Sequence, residues 1–196
     1  ALKYTLEKSP SKFESFMEKG LEGIYVRAED IMVFLDWLTQ IRDEYVADIV
    51  KDVGEDTREI AIKVADVREQ VYETFFGQEL SDEVVQKLHE QTEEFVTKIR
   101  EQPFSKETIA ALTKRNATIA AHSVNVANIA VYLAMVMGHG HQYVLENVYL
   151  GAILHDLGKA KSGLHESGTG EARLYSQAMQ AHPEMALNVI RKSKGV

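Results

Sequence analysis

The chain has 196 residues, no Cys and a formal net charge of -8. That length allows one sizeable core or two small ones, and the lack of Cys excludes disulfides, Cys-ligated zinc and a thiolate nucleophile. The sequence contains no uninterrupted run of eighteen apolar residues and no basic-then-apolar start, so neither a transmembrane segment nor a signal peptide is predicted. We expect a cytoplasmic, bacterial-type protein that does not bind a membrane.

Charge and histidine are distributed unevenly along the chain. Residues 1–104 hold 24 of the 30 acidic and 13 of the 22 basic residues, whereas residues 105–196 hold six of the seven His. An acidic first half is unsuited to DNA, and a mildly basic second half that also bound metal cations would suit a small anionic substrate. Scatter of charge over two solvated surfaces explains the same numbers equally well.

The first 27 residues predict a small α/β segment. Alternation in residues 2–6 and an extended run in residues 23–26 predict two short strands. Residues 11–19 predict a helix between these strands, which Gly20 ends.

Three long helices are predicted between Glu29 and Pro103. The first ends at Gly54, Asp56-Thr57-Arg58-Glu59 has the form of a capping box for the second, and Ser81 can cap the third. The second and third helices carry apolar stripes spaced by three and four residues (Ile60, Val64, Val67, Val71 and Phe75; Val84, Leu88, Thr92, Phe95 and Ile99). Such stripes fit a bundle core, which we favour, as well as a helical hairpin or a homodimer seam.

Pro103 marks the predicted boundary between an N-terminal regulatory region, residues 1–104, and a second domain, residues 105–196. One helix from Ser105 to Met137 is predicted to open the second domain. Its expected core-facing stripe is Ile119, His122, Val126, Ile129, Leu133 and Val136. The exposed loop after this helix is expected to hold His139 and His141.

A further helix is predicted from Tyr143 to Leu157, where Gly158 ends it. One of its stripes carries small residues that would let the His122 helix come close (Val144, Val148, Gly151, Ala152 and His155). A polar, Gly-rich loop with His165 follows in residues 160–170. Pro183 disfavours the α conformation at His182, which predicts that His182 sits at a junction between two helices.

Residues 152–159, Ala-Ile-Leu-His-Asp-Leu-Gly-Lys, hold the strongest functional signal. Three apolar residues lead into the adjacent His155 and Asp156, and Lys159 follows one helical turn after the His. Burying an imidazole and a carboxylate together is costly unless a partner, typically a metal ion, satisfies both. The motif therefore predicts a metal site.

This stretch resembles the signature of the HD superfamily of metal-dependent phosphohydrolases, and within it the HD-GYP group. The matching pieces are His122 in a helix, Leu-His-Asp-Leu-Gly-Lys at 154–159, and His182 followed by Pro183. The resemblance implies a mainly α, helical bundle as the domain. It also implies hydrolysis of a cyclic dinucleotide, typically cyclic di-GMP, at a dinuclear metal site that activates a bridging water.

The resemblance assigns His122 and His155 to one metal, His182 to the other, and Asp156 as the bridging carboxylate. Asp156 and Lys159 would be the catalytic pair, with Lys159 holding a phosphate oxygen or stabilising the leaving group. A His and carboxylate shell without thiolate suits iron, with manganese as the alternative. Thr118 stands where some family members carry an acidic ligand for a third metal, which favours two metal ions.

The family pattern would continue with a His-His-Glu run, a late Asp and the Gly-Tyr-Pro loop, and none of them occurs in this sequence. The Ile-Pro and Lys-Pro-Gly elements expected after Lys159 are also missing. We therefore expect either a fragment of a longer HD-GYP protein or a degenerate relative. Two other functions stay open: a phosphohydrolase of other nucleotides, and a signalling module whose acidic helical half contacts protein partners.

Overall fold

The structure, a computed structural model, describes residues 31–77, 80–102, 105–113, 119–161 and 177–192. The chain divides into two compact units, Ala1–Trp37 and Leu38–Val196. The residues described form helices and contain no strand, which confirms the mainly α prediction. The α/β segment predicted in residues 1–27, the boundary at Pro103, and His165 all lie outside the described residues.

Eight α-helices and one 3-10 turn follow one another in the described part of the chain. The 3-10 turn, Glu55–Thr57, lies between α1 and α2. The helices are α1 (Ile31–Val53), α2 (Arg58–Phe76), α3 (Asp82–Glu101), α4 (Lys106–Leu112), α5 (Ile119–Val136), α6 (Gln142–Leu154), α7 (Leu157–Lys161) and α8 (Gln177–Lys192).

Helices α2 and α3 pack against each other through the predicted stripes. All five stripe residues of α2 are buried, as are Leu88, Thr92, Phe95 and Ile99 on α3. Val84 is partly exposed, and its neighbour Val85 is buried instead. Burial of each large apolar side chain contributes about 1.5–3 kcal/mol. The stripes form part of the core of this chain, as the bundle interpretation predicts.

The predicted ends of these helices are confirmed at two positions, but the predicted capping box does not form. Gly54 follows α1 with a φ of 117°, and Ser81 Oγ accepts a hydrogen bond from Val84 N at 3.3 Å. Thr57 caps α2 without a side-chain hydrogen bond, since its hydroxyl donates to Gly54 O at 2.7 Å. The Glu59 carboxylate instead pairs with Lys98 on α3.

The single helix predicted from Ser105 to Met137 was wrong, because the structure contains two helices there. Ser105 Oγ accepts from Thr108 N at 3.2 Å and begins α4 as expected. Thr113 follows the last residue of α4, and its hydroxyl donates to Ile109 O at 2.8 Å. α5 begins at Ile119.

The predicted core face of α5 was also wrong. Ile129, Leu133 and Val136 are 41%, 51% and 66% exposed. The buried residues of this helix are Ala, Ser, Asn and Val (Ala120, Ala121, Ser123, Val124, Asn125, Ala127, Asn128, Val131 and Ala134). These short side chains allow α6 to pack closely on α5, whereas a periodicity count assigns the larger apolar residues to the core.

Helix α5 is, of the described helices, the one long and apolar enough to cross a membrane by length and composition. Half of that window is buried inside the bundle. Its buried Asn128 accepts a hydrogen bond from the hydroxyl of Tyr149 on α6 at 3.0 Å. These features are those of a core helix, which passes the same compositional test.

We expect Tyr149→Phe to lower the free energy of unfolding by about 1–3 kcal/mol, because the buried Asn128 would lose its partner. Burial raises the pKa of Tyr149 well above its usual value, as expected for a phenol enclosed in the core. Urea unfolding would measure the loss. The double variant Tyr149→Phe with Asn128→Leu should recover much of it, and a double variant as unstable as the single one would contradict this account.

Candidate metal centre

The His155-Asp156 pair lies in a turn between two helices. α6 ends at Leu154 and α7 begins at Leu157, so the single helix predicted to continue through Leu157 was wrong. The stripe of α6 that faces the core is Leu145, Tyr149 and Ile153, one residue away from the predicted one. In this turn the Asp156 side chain is buried and is 3% exposed.

Gly158 lies inside α7 and does not end a helix as predicted. A Cβ at this position would lie 1.9 Å from His182 O and 2.9 Å from Ala186 N, both backbone atoms of α8. Only glycine therefore allows α7 and α8 to approach to this distance. Gly151, which was expected to allow a close helix contact, is exposed, and a Cβ there would meet nothing within 4 Å.

His182 lies within α8, where Pro183 is also an internal residue. The prediction of a helix junction at His182 was wrong, since one helix runs through both residues. The close contact of α7 and α8 nevertheless brings His182 to the pair, with His182 Nε2 3.4 Å from Asp156 Oδ1. Tertiary packing therefore aims this side chain at the site.

Three imidazoles converge on the two oxygens of the Asp156 carboxylate. On the Oδ2 side, His155 Nε2 lies 3.3 Å away and His122 Nε2 3.9 Å away. The rings of His122 and His155 are 5.7 Å apart between centroids. His182 approaches the other oxygen, Oδ1. The predicted stripe had placed His122 on the core face of its helix. The structure instead places this partly exposed residue at the site.

Lys159 contacts the same carboxylate. Its Nζ lies 2.7 Å from Asp156 Oδ1 and donates a hydrogen bond to Oδ2 at 2.8 Å. The next turn of α7 is held by Lys161, whose Nζ donates to Gly77 O at 2.9 Å, after the end of α2. Burial lowers the pKa of Lys161. Both lysines fix α7 relative to the site, and one of them brings a cation to Asp156.

The Asp156 carboxylate is ionised in this environment. Burial would raise its pKa, but hydrogen bonds from His155 and Lys159, together with their charges, outweigh burial and lower the pKa to about 2. The hydrogen bond with Asp156 raises the pKa of His155 in turn. The site therefore presents a buried negative charge at neutral pH, which suits a bound cation.

A backbone carbonyl orients the His155 ring. Nδ1 lies 2.6 Å from Ala152 O, and since a carbonyl can only accept, this contact assigns the proton to Nδ1. Nε2 faces Asp156 and shares a hydrogen bond with it, so this is the nitrogen that can bind a metal once it gives up its proton. Metal-binding His residues usually have their second nitrogen held in this way, and the role of the Ala152 carbonyl was not predicted from the sequence.

The residues present fit a divalent cation. One ligand atom each from His122, His155 and Asp156 lie within 4.8 Å of one another. Asp156 Oδ1 is buried, and the groups beside it are the Lys159 ammonium at 2.7 Å and the His182 ring at 3.4 Å. A site of imidazoles and one carboxylate suits iron, manganese or zinc. All five site residues predicted from the sequence lie together here.

Residues 119–196 match the family model described as HD domain. No curated protein and no solved structure matches the chain. The matched segment begins at the first residue of α5 and includes His122, the His155-Asp156 turn, Lys159 and His182. This segment is therefore similar to an HD domain, the domain of a superfamily of metal-dependent phosphohydrolases.

Proposed function

We propose that this protein is a phosphodiesterase of the HD-GYP type that hydrolyses a cyclic dinucleotide, with cyclic di-GMP as the expected substrate. The observation that carries the proposal is the convergence of three imidazoles and Lys159 on the buried, ionised Asp156. Two divalent cations, iron or manganese, would polarise the phosphate and lower the pKa of the attacking water.

In this proposal, each residue of the cluster has a role that follows from its position. His122 and His155 face one carboxylate oxygen of Asp156 and His182 faces the other, so a bridging role for Asp156 suits this arrangement. Lys159 would move from the carboxylate to a phosphate oxygen, where a point charge stabilises the negative charge that develops. The Ala152 carbonyl would keep His155 in one tautomer and orientation.

The second candidate is an HD-fold binding module with weak or no turnover. The observation that favours it is the small number of ligands in the described part of the chain, because three imidazoles and one carboxylate cannot saturate two six-coordinate cations. In this case the acidic helices α2 and α3 would contact signalling partners. A phosphohydrolase of other nucleotides would use the same residues as the proposed enzyme, and only substrate assays separate the two.

Metal analysis of protein purified without chelator, followed by hydrolysis assays, tests the proposal. We expect about two equivalents of iron or manganese per chain, and release of linear dinucleotide or GMP from cyclic di-GMP that stops when a chelator removes the metal. Metal-loaded protein that binds cyclic di-GMP without cleaving it would instead support the binding module. Cleavage of other nucleotides alone would support the third function.

We expect Lys159→Ala to lower kcat by about 10- to 1000-fold while the protein keeps its metal. Removing this cation from beside Asp156 takes away a competitor for the carboxylate, so metal affinity should stay equal or rise. Lys159→Arg is the matched control, since it keeps the charge. A loss of bound metal in Lys159→Ala would contradict the assignment, because Lys159 would then support the ligands.

A further inference from the structure

A groove opens directly beside the His155-Asp156 turn. Its volume is about 770 Å³, within the range of about 300–1,000 Å³ usual for small-molecule sites. Helices α3, α6 and α8 form most of its walls, and His155 and His182 lie in the same wall surface. A ligand at this end of the groove would therefore be in contact with the candidate metal centre.

The walls of the groove are mainly apolar. Leu150 and Leu154 line it from α6, and Leu187 lines it from α8. Leu187 is 43% exposed and Tyr143 is 72% exposed, so the rim presents apolar and aromatic surface to solvent. Exposed apolar surface of this kind, continuous with a cleft, is typical of a ligand site.

Away from the candidate metal centre, the described walls of the groove offer an anion no lysine or arginine. Among the described residues that line it there is no Lys or Arg, and the permanent charge they carry is that of Glu146. The imidazoles in the lining are His155 and His182 at the metal centre and His89 on α3. The amide of Asn147, beside Glu146, is also present in the lining. A second phosphate would meet apolar walls and a carboxylate there, whereas an uncharged group with hydrogen-bond donors would be accommodated.

We propose that this groove binds an uncharged, planar or apolar organic group carried by the phosphodiester whose phosphate lies on the His155-Asp156-His182 cluster. The inference rests on the proposed function for the position of the phosphate. It deepens that function by naming which part of a substrate enters the groove: for a cyclic dinucleotide, one base enters and the second phosphate stays outside.

Gly151 allows a direct test, because it lines the groove and a Cβ there would meet nothing within 4 Å. Side chains on a helix lean toward its N-terminus, so the ring in Gly151→Phe would extend toward Asn147 and away from His155. This variant should fill the groove without touching the metal ligands. Gly151→Ala is the matched control, since a methyl group occupies little of the groove.

Two diesters separate the groove from the reaction centre. With metal-loaded full chain, we expect kcat/KM for bis(4-nitrophenyl) phosphate to exceed that for methyl 4-nitrophenyl phosphate by about tenfold or more. Gly151→Phe should abolish this preference, and Gly151→Ala should keep it. Equal rates for both esters in the wild type, or an unchanged preference in Gly151→Phe, would overturn the inference.

A binding assay distinguishes failure of the inference from failure of the proposed function. The neutral fluorophore N-phenyl-1-naphthylamine should bind the metal-free wild type and bind at least about tenfold more weakly to Gly151→Phe. If Gly151→Phe does not fold, Leu187→Glu at the exposed rim replaces it in this assay. Leu187→Glu should also weaken fluorophore binding. Loss of fluorophore binding without hydrolysis of either ester would overturn the proposed function and support the groove as an apolar site. Unchanged fluorophore binding in both variants would overturn the groove inference.

Discussion

Asp156→Ala is expected to lower the metal content of the purified protein at least tenfold, to a small fraction of about two equivalents per chain. Asp156 is the point at which the three imidazoles and Lys159 meet, and its two oxygens face different His residues. Without the carboxylate, no described residue at the centre of the cluster could join two cations. Elemental analysis of the protein, purified without chelator, measures the effect.

The fold should survive this change, since Asp156 contributes a charge to the core and no large apolar surface. Far-ultraviolet circular dichroism should therefore show wild-type helicity. Glu146→Gln is the matched control: it removes a carboxylate from the adjoining groove and should keep the metal. Full metal content in Asp156→Ala would show that the bridging assignment is wrong.

Gly158→Ala is expected to lower the free energy of unfolding by about 1–3 kcal/mol and also to lower the metal content. The added Cβ would lie 1.9 Å from His182 O, and the atoms it meets are backbone, so α8 as a whole must move. Because α8 carries His182, the movement would withdraw one imidazole from Asp156. Urea unfolding and metal analysis would measure the two effects.

Gly151→Ala, in the neighbouring helix α6, is expected to change the free energy of unfolding in the opposite direction. Gly151 lies in the interior of α6 with open space around it, and replacing such a glycine by alanine stabilises a helix by up to about 1 kcal/mol. We therefore expect Gly151→Ala to be neutral or stabilising and to keep its metal. Similar stability changes in the two variants would show that α7 and α8 do not make the close contact described.

The sequence alone was sufficient to select the residues of the candidate site. An imidazole and a carboxylate adjacent after an apolar run are costly to bury without a ligand, and this chemistry identified His155 and Asp156 before any contact was known. The resemblance added His122, Lys159 and His182, and the structure brings all five together. Strong periodicity likewise predicted α2 and α3, because a helix with a stripe of large apolar residues is stabilised when that stripe is buried in the core.

Helix faces with small residues could not be predicted in the same way. In α5 the exposed Ile129, Leu133 and Val136 are more apolar than the buried Asn128, and yet Asn128 is inside because Tyr149 supplies its hydrogen bond. A count of apolar residues cannot include a partner that comes from another helix.

The sequence therefore determined which residues can form the site, through the chemistry of their side chains. Tertiary structure decided how they meet. The packing of Gly158 against the backbone of α8 joins segments more than twenty residues apart. Such contacts set the direction of the His182 side chain. The local preference of Pro183 does not set it, because close packing of whole helices outweighs the conformational preference of one residue.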